Sequence, residues 1–180
     1  MKRYALLVRG INVGGKNKVV MAQLRQELTE LGIEKVETYI NSGNIFFTST
    51  DAKARLVEML EAFFEIHYPF IQSFSLLSQE DYEAEVENLP AWWNEDLARK
   101  DVLFYTEVLD VEQVIEKVGS LKLEDEVVHF GKLGIFWGKF SEETYSKTAY
   151  HKHLLKMPFY RQITIRNAKT FDKIGQMIKK

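Results

Sequence analysis

The spacing of apolar residues predicts the same order of strands and helices in both halves of the chain. Short apolar or alternating runs predict strands, and apolar residues three and four positions apart predict helices. In the first half the strands are predicted at 4–9, 35–40, 45–49 and 72–78, and the helices at 21–32, 52–68 and 79–89. This β-α-β-β-α-β order is that of the ferredoxin-like fold, or split β-α-β.

The second half follows the same plan, including a helix after its last strand. Its strands are predicted at 101–107, 126–130, 134–139 and 162–167, and its helices at 111–119, 141–156 and 170–180. Ile45-Phe46-Phe47 of one hairpin corresponds to Ile135-Phe136-Trp137 of the other. We therefore predict an α+β protein formed by tandem duplication of two ferredoxin-like subdomains, at residues 1–90 and 91–180.

Polar residues at the predicted helix starts indicate where the helices begin, because their side chains can accept hydrogen bonds from the first free N–H groups. The predicted caps are Ser78, Asp110, Ser141 and Thr170. The segment 90–100 is predicted to be a linker. We expect Trp92 and Trp93, with Trp137, either to line a ligand pocket between the subdomains or to seal their joint.

Composition excludes several classes of protein. The chain has 180 residues, of which 46% are apolar, and it contains no cysteine. Disulfides, thiolate metal sites and cysteine nucleophiles are therefore excluded. The apolar run before Arg9 is too short for a signal peptide, and no run approaches a membrane span. We expect a soluble, cytoplasmic protein without a membrane partner; the sequence does not predict its oligomeric state.

The net charge of −2 conceals a strong segregation of charge along the chain. Residues 1–26 carry six Lys or Arg and no acid, and residues 151–180 carry eight against one acid. The acids are therefore concentrated in the middle of the chain. If the two ends meet in space, they form a basic surface that attracts anions such as phosphates or RNA; otherwise they are solvated helix faces of differing charge.

The stretch RGINVGGKN, residues 9–17, follows the first predicted strand. Gly10, Gly15 and Lys16 match the first seven positions of the phosphate-loop pattern G-x-x-x-x-G-K-[ST], but Asn17 stands where a hydroxyl is needed. The next helix is predicted to begin only at residue 21, and the strands that follow form a hairpin. We therefore exclude a P-loop NTPase. The loop remains either a basic anion-binding loop or a connection that needs glycine for its conformation.

Three stretches resemble a known family: LLVRGINVGGKNKVVMAQLRQELTELG, VETYINSGNIFF and TIRNAKT. They are similar to the bacterial, uncharacterised family called domain of unknown function 1697, over essentially the whole chain. The family shows an aromatic residue after Arg-Asn, where this chain has Ala168. The resemblance implies two ferredoxin-like subdomains and brings no reaction, substrate or cofactor.

The shared motifs and the neighbouring lysine define the candidate ligand-binding residues. They are polar or glycine, and they are predicted at strand ends and in turns, where sites are commonly carried. The set is Arg9, Gly10, Asn12, Gly14, Gly15, Lys16, Lys18, Asn41, Ser42, Asn44, Arg166 and Asn167. Asn and Ser serve equally as turn formers and caps. If the three segments converge, they form a basic, amide-rich site without carboxylates.

Such a site is suited to binding a phosphate-bearing small molecule or a nucleic-acid backbone, and we predict a binding module of this kind. Two alternatives stay open: an enzyme acting on a nucleotide or other phosphorylated metabolite, with Lys16, Lys18 and Arg166 holding the phosphate, and a protein-interaction module without a small ligand. No catalytic constellation is recognised, and no cofactor is predicted.

Two other site types find little support in the sequence. His151 and His153 point apart on the predicted helix, so no metal site is expected. The hairpin strand 45–49 lacks the spacing of an RNA-recognition motif, because the adjacent Phe46 and Phe47 face opposite sides of the sheet. We expect one of them in the core and only one available for stacking.

Overall fold

The computed structural model describes all 180 residues and contains two antiparallel sheets of four strands each. In the first sheet the strand order is β2-β3-β1-β4, and in the second it is β6-β7-β5-β8. The strands are β1 Lys2–Val8, β2 Glu34–Tyr39, β3 Asn44–Ser49, β4 Phe74–Ser78, β5 Arg99–Tyr105, β6 Glu126–Phe130, β7 Gly134–Lys139 and β8 Ile163–Asn167. The protein is thus a mixed α+β structure, as predicted.

Six α-helices accompany the sheets. They are α1 Met21–Glu30, α2 Lys53–His67, α3 Gln79–Glu87, α4 Val111–Gly119, α5 Ala149–His153 and α6 Ala168–Ile178. Short 3-10 turns lie at 91–94, 145–147, 154–156 and 160–162. None of the six helices combines the length and the apolarity needed to span a bilayer.

The predicted caps at Ser78 and Asp110 are confirmed. The Ser78 side chain accepts a hydrogen bond from the Asp81 N–H, and Asp110 accepts one from the Gln113 N–H. The cap of α6 is not the predicted Thr170 but Asn167, whose side-chain oxygen accepts from the Thr170 N–H at 2.9 Å. The helix therefore begins directly after β8.

The prediction of one helix over 141–156 is wrong. Thr148 has extended backbone angles, and its side chain accepts from the His151 N–H, so it begins a new, short helix. The buried Glu126 carboxylate also accepts hydrogen bonds from the N–H groups of Ala149 and Tyr150, at 2.7 and 3.1 Å. The carboxylate of a residue on β6 thus determines where α5 starts.

Successive side chains of a strand face opposite sides of the sheet, so each sheet contributes residues to two apolar clusters. Leu6 and Phe47 of the first sheet pack with α1 and α2, and Leu103 of the second packs with α4 and α5. Side chains on the opposite faces join Tyr82 of α3 and four residues of α6 in a central cluster, which includes Leu7, Phe46, Val102, Phe104, Phe136, Phe171, Ile174, Met177 and Ile178. The central cluster thus joins the two sheets.

The tryptophans divide between these clusters. Trp93 lies at the joint, with its ring centroid 5.0 Å from that of Phe136 and 5.5 Å from that of Phe171, and Trp92 packs beside it. Trp137 lies on the other face of the second sheet, where its Nε1–H donates to Glu126 at 2.8 Å. The first two therefore seal the joint, and the third does not contribute to it.

Alkaline pH is expected to destabilise the fold through Tyr82, which is fully buried, and Tyr150, which is partly buried. Burial is the main cause that raises the pKa of Tyr82 and of Tyr150, and the Tyr82 hydroxyl donates to the Phe171 carbonyl at 2.5 Å. In the unfolded chain both phenols lose their protons near pH 10. Stability is therefore present below pH 10 and falls above it, by roughly 1.4 kcal/mol per pH unit for each group.

Urea denaturation between pH 8 and pH 11 measures this fall. The Tyr82→Phe variant is the control, because it should be less stable at neutral pH and should show a shallower loss above pH 10. A free energy of unfolding that does not change across this interval would contradict the expectation.

Candidate functional site

The three predicted motif segments come together in the structure. The Asn12 side-chain N–H donates to the Asn41 carbonyl at 2.9 Å, which joins the glycine-rich loop to the 41–44 turn. Arg166 of β8 donates from Nε to Asn44 Oδ1 and from Nη2 to the Val8 carbonyl, both at 2.7 Å. The strand ends of both halves therefore meet at one place.

The glycine-rich loop, residues 9–18, forms a small hairpin and does not wrap a phosphate as a P-loop does. The Asn12 N–H donates to the Asn17 carbonyl, and the Lys16 N–H donates to the Val13 carbonyl, each at 3.0 Å. The two residues at the tip, Gly14 and Gly15, have φ of +58° and +75°, as a type I′ turn requires. Asn17 Nδ2 closes the base by donating to the Gly10 carbonyl at 2.9 Å.

Arg166 is a buried structural group at the centre of this junction. Its guanidinium also donates to the carbonyls of Ser42, Gly43 and Ile165, at 2.9 to 3.3 Å. Burial lowers the pKa of the Arg166 guanidinium to about 10. Since all three nitrogens of its guanidinium already donate to protein acceptors, Arg166 positions the loops around it.

The other motif residues divide into supporting and exposed groups. Asn44 is buried, and its amide donates to the Tyr39 carbonyl and the Ser42 hydroxyl at 3.2 and 3.1 Å. Asn167 caps α6. The exposed side chains are those of Asn41 and Ser42 in the turn and of Lys16 and Lys18 in the loop, whose glycines are exposed as well.

A groove of about 340 Å³ opens beside the base of the loop. From the predicted set it contains Arg9 and Gly10, which form one wall together with Asn17, a residue of the same loop that is not in the predicted set. The remaining lining residues are Phe70, Gln72, Ser73 and Arg161. Sequence reasoning missed Asn17 and these four residues: Asn17 stands out only as the mismatch to the P-loop pattern, the 70–73 segment matches no motif, and Arg161 is visible only as one of the basic residues of the C-terminal segment. The groove contains two arginines and no carboxylate.

Arg9 is fixed in the groove by the second half of the chain. Its Nη1 donates to the carbonyls of Tyr160 and Ile163, and its guanidinium lies over the Tyr160 ring, 4.6 Å from the centroid. Nε and Nη2 make no hydrogen bond within the chain, so they remain available as donors. The Ser73 hydroxyl donates to the Arg161 carbonyl at 3.3 Å, which holds the opposite wall.

Of the two arginines in the groove, Arg161 has the less constrained side chain. Its side chain is exposed and makes neither an ion pair nor a hydrogen bond within the protein. The two basic ends of the sequence thus meet here through Arg9 and Arg161. Arg3, by contrast, is used internally, because it pairs with Glu37 and also donates to the Met177 carbonyl.

The aromatic residues of β3 are unavailable to a ligand. Phe47 packs beneath α1 and α2, and Phe46 lies in the central cluster, both fully buried. The prediction that one of them stays free for stacking is therefore wrong. The face that an RNA-recognition motif leaves open is covered here by α3 and α6.

Comparison with known proteins agrees with the motif resemblance. Residues 1–136 match the model of a family described as "Protein of unknown function (DUF1697)". The chain belongs to this family. The solved structure of the conserved bacterial protein SP0830 from Streptococcus pneumoniae is 82% identical in sequence and superimposes with a TM-score of 0.97, over 98% of each chain. A search of curated proteins found no match. The matched region contains the glycine-rich loop and the 70–73 segment, whereas Arg161 lies beyond it.

Proposed function

We propose that this protein binds a phosphate-bearing ligand in the groove between the glycine-rich loop, the 70–73 segment and Arg161. The observation that carries the proposal is that Arg9 and Arg161 line the same concave surface and that this surface contains no carboxylate. Guanidinium groups bind phosphate oxygens through charge-assisted hydrogen bonds, which are stronger than neutral ones.

The state of the two arginines supports an anionic ligand. Arg9 is oriented by two carbonyls before any ligand arrives, so little side-chain freedom is lost on binding. Arg161 has no internal partner, so no ion pair must break. Asn17 and Gln72 add side-chain amides to the lining. Lys16 and Lys18 lie on the same loop and raise the local positive potential.

The lining favours binding over catalysis. The groove contains no carboxylate, imidazole or amine that could exchange protons near neutral pH. Its one hydroxyl, that of Ser73, donates to the Arg161 carbonyl and has no base beside it. We therefore propose a binding module.

Pyrophosphate is the probe that tests this proposal. We expect titration calorimetry to detect its binding, and Arg161→Ala to weaken that binding at least tenfold, since a hydrogen bond to a charged group contributes about 1.5–3 kcal/mol. Arg55→Ala is the matched control, because Arg55 is exposed on α2 and only pairs with Asp51; it should change the affinity less than twofold.

Salt provides an independent measurement for the same proposal. Binding to exposed guanidinium groups should weaken as ionic strength rises, because the charges are screened within about 10 Å at 0.1 M salt. If pyrophosphate fails to bind at low salt, or if Arg161→Ala and Arg55→Ala bind it equally, the proposal is wrong.

The architecture that holds the groove is proposed to be a duplication. Each sheet has the strand order of the ferredoxin-like fold, and matching bonds recur: the Val8 N–H donates to the Gly43 carbonyl as the Tyr105 N–H donates to the Leu133 carbonyl, each at 3.0 Å. These correspondences support two ferredoxin-like subdomains, at residues 1–90 and 91–180. A cysteine-free chain also supports a cytoplasmic location.

A further inference from the structure

Phe70 is the only large apolar residue of the groove, and it is 37% exposed. It lies beside two arginines and two amide side chains, on the surface that the 70–73 segment presents to the glycine-rich loop. The ring centroid of Tyr68 is 6.1 Å away, and the two ring planes are inclined by 79°. An edge-to-face contact of this kind covers at most one face of the Phe70 ring, and the exposed part of the residue faces the groove.

The turn that carries Phe70 holds the ring in place. Pro69 restricts the backbone before it, and the Ile71 N–H donates to the Tyr68 carbonyl at 2.8 Å. Ile71 is itself buried in the core with Tyr68. An aromatic residue whose backbone is fixed on both sides in this way loses little backbone freedom when a flat ligand packs against its ring.

The amide groups of the groove complement the edge of a flat heterocycle. Gln72 is exposed and makes no hydrogen bond within the chain, and Asn17 uses only one N–H, on the Gly10 carbonyl. An amide side chain presents a donor and an acceptor together, which is the pattern that pairs with the edges of nucleobases. The groove thus contains separate groups for a phosphate, for a base face and for a base edge.

We infer that the ligand is a free nucleoside phosphate, with its phosphate held by Arg9 and Arg161 and its base stacked on Phe70. This inference rests on the proposed function, since it assigns a ligand class to the same groove. The size of the groove agrees: about 340 Å³ is near the lower end of the range of small-molecule pockets. A single nucleotide matches such a space better than a longer polymer.

Binding of four ligands to the wild-type chain tests the inference: adenosine monophosphate, ribose 5-phosphate, pyrophosphate and a short single-stranded RNA. We expect the monophosphate to bind at least fivefold more tightly than ribose 5-phosphate, because stacking on an aromatic side chain adds affinity for each base. The RNA should bind no more tightly than the monophosphate.

Phe70→Leu then isolates the contribution of the ring. It should weaken binding of adenosine monophosphate at least fivefold and leave pyrophosphate unchanged within twofold. Phe140→Leu is the matched control, since Phe140 is a similarly exposed phenylalanine outside the groove. In the wild-type chain, nuclear Overhauser contacts between the base protons and the Phe70 ring provide a measurement that does not depend on how a variant folds.

The outcomes separate the inference from the proposed function. If pyrophosphate does not bind, the proposed function fails. If pyrophosphate and ribose 5-phosphate bind as tightly as the monophosphate, and Phe70→Leu leaves binding of the monophosphate unchanged, the nucleotide inference fails and the proposed function stands. Tight binding of the RNA with no binding of the monophosphate also overturns the inference, as does the absence of contacts between the base and Phe70.

Discussion

Replacing Arg166 with methionine is expected to lower the free energy of unfolding by about 3 kcal/mol. The guanidinium is buried and donates to the Asn44 side chain and to the carbonyls of Val8, Ser42 and Gly43. Methionine has a similar length but no donor. It therefore leaves buried acceptors without partners, and each unsatisfied group costs about 1–3 kcal/mol.

Urea denaturation measures the effect, with Arg161→Met as the control. Arg161 is exposed and unpaired, so its replacement should change stability by less than about 0.5 kcal/mol. Arg166→Lys should recover little, because one ammonium cannot match the planar array of donors on a guanidinium. A loss below about 1 kcal/mol for Arg166→Met would mean that water replaces the guanidinium, and the assignment of Arg166 as the structural centre would be wrong.

The second large effect is expected at Gly43, in the turn that Arg166 holds. Its φ is +92°, and a Cβ at this position would lie 2.2 Å from Cγ2 of Val8. Alanine there combines an unfavourable left-handed backbone, which costs roughly 1–2 kcal/mol, with overpacking, which costs roughly 1–3 kcal/mol. We expect Gly43→Ala to lose about 3 kcal/mol of stability.

Gly32 provides a closely matched control for this variant. Its φ is +96°, and a methyl group added there would have no atom within 4 Å, so Gly32→Ala should show the backbone cost alone, about 1 kcal/mol. Val8→Ala should relieve the clash, so the cost of Gly43→Ala should be smaller in that background. Equal losses for Gly43→Ala and Gly32→Ala would show that the turn moves aside without strain.

Local periodicity was sufficient to predict most of the fold. The hairpin at 126–130 and 134–139 and the helix at 111–119 have the predicted bounds, because their apolar spacing and their caps agree with their tertiary surroundings. The helix over 141–156 failed for the opposite reason. Its pattern is helical, but the carboxylate of Glu126 lies on a different strand, so its effect at Ala149 cannot be read from the local sequence.

The candidate site was predictable only in part. Arg9 and Gly10 belong to a recognisable motif, and they line the groove. Phe70, Gln72 and Arg161 belong to segments far apart in sequence that tertiary packing brings to the same place. The role of Arg166 was also hidden, since a basic residue at a strand end has the same sequence signal whether it faces solvent or lies buried among carbonyls.

The central cluster has a consequence for how such a chain can change over generations. Because Phe46 and Leu7 from the first half share their contacts with Phe171 and Phe136 from the second, a substitution in either half alters the packing of the other. Two halves that share a core in this way are constrained together, so we expect a tolerated change in one half to depend on the residues it meets in the other.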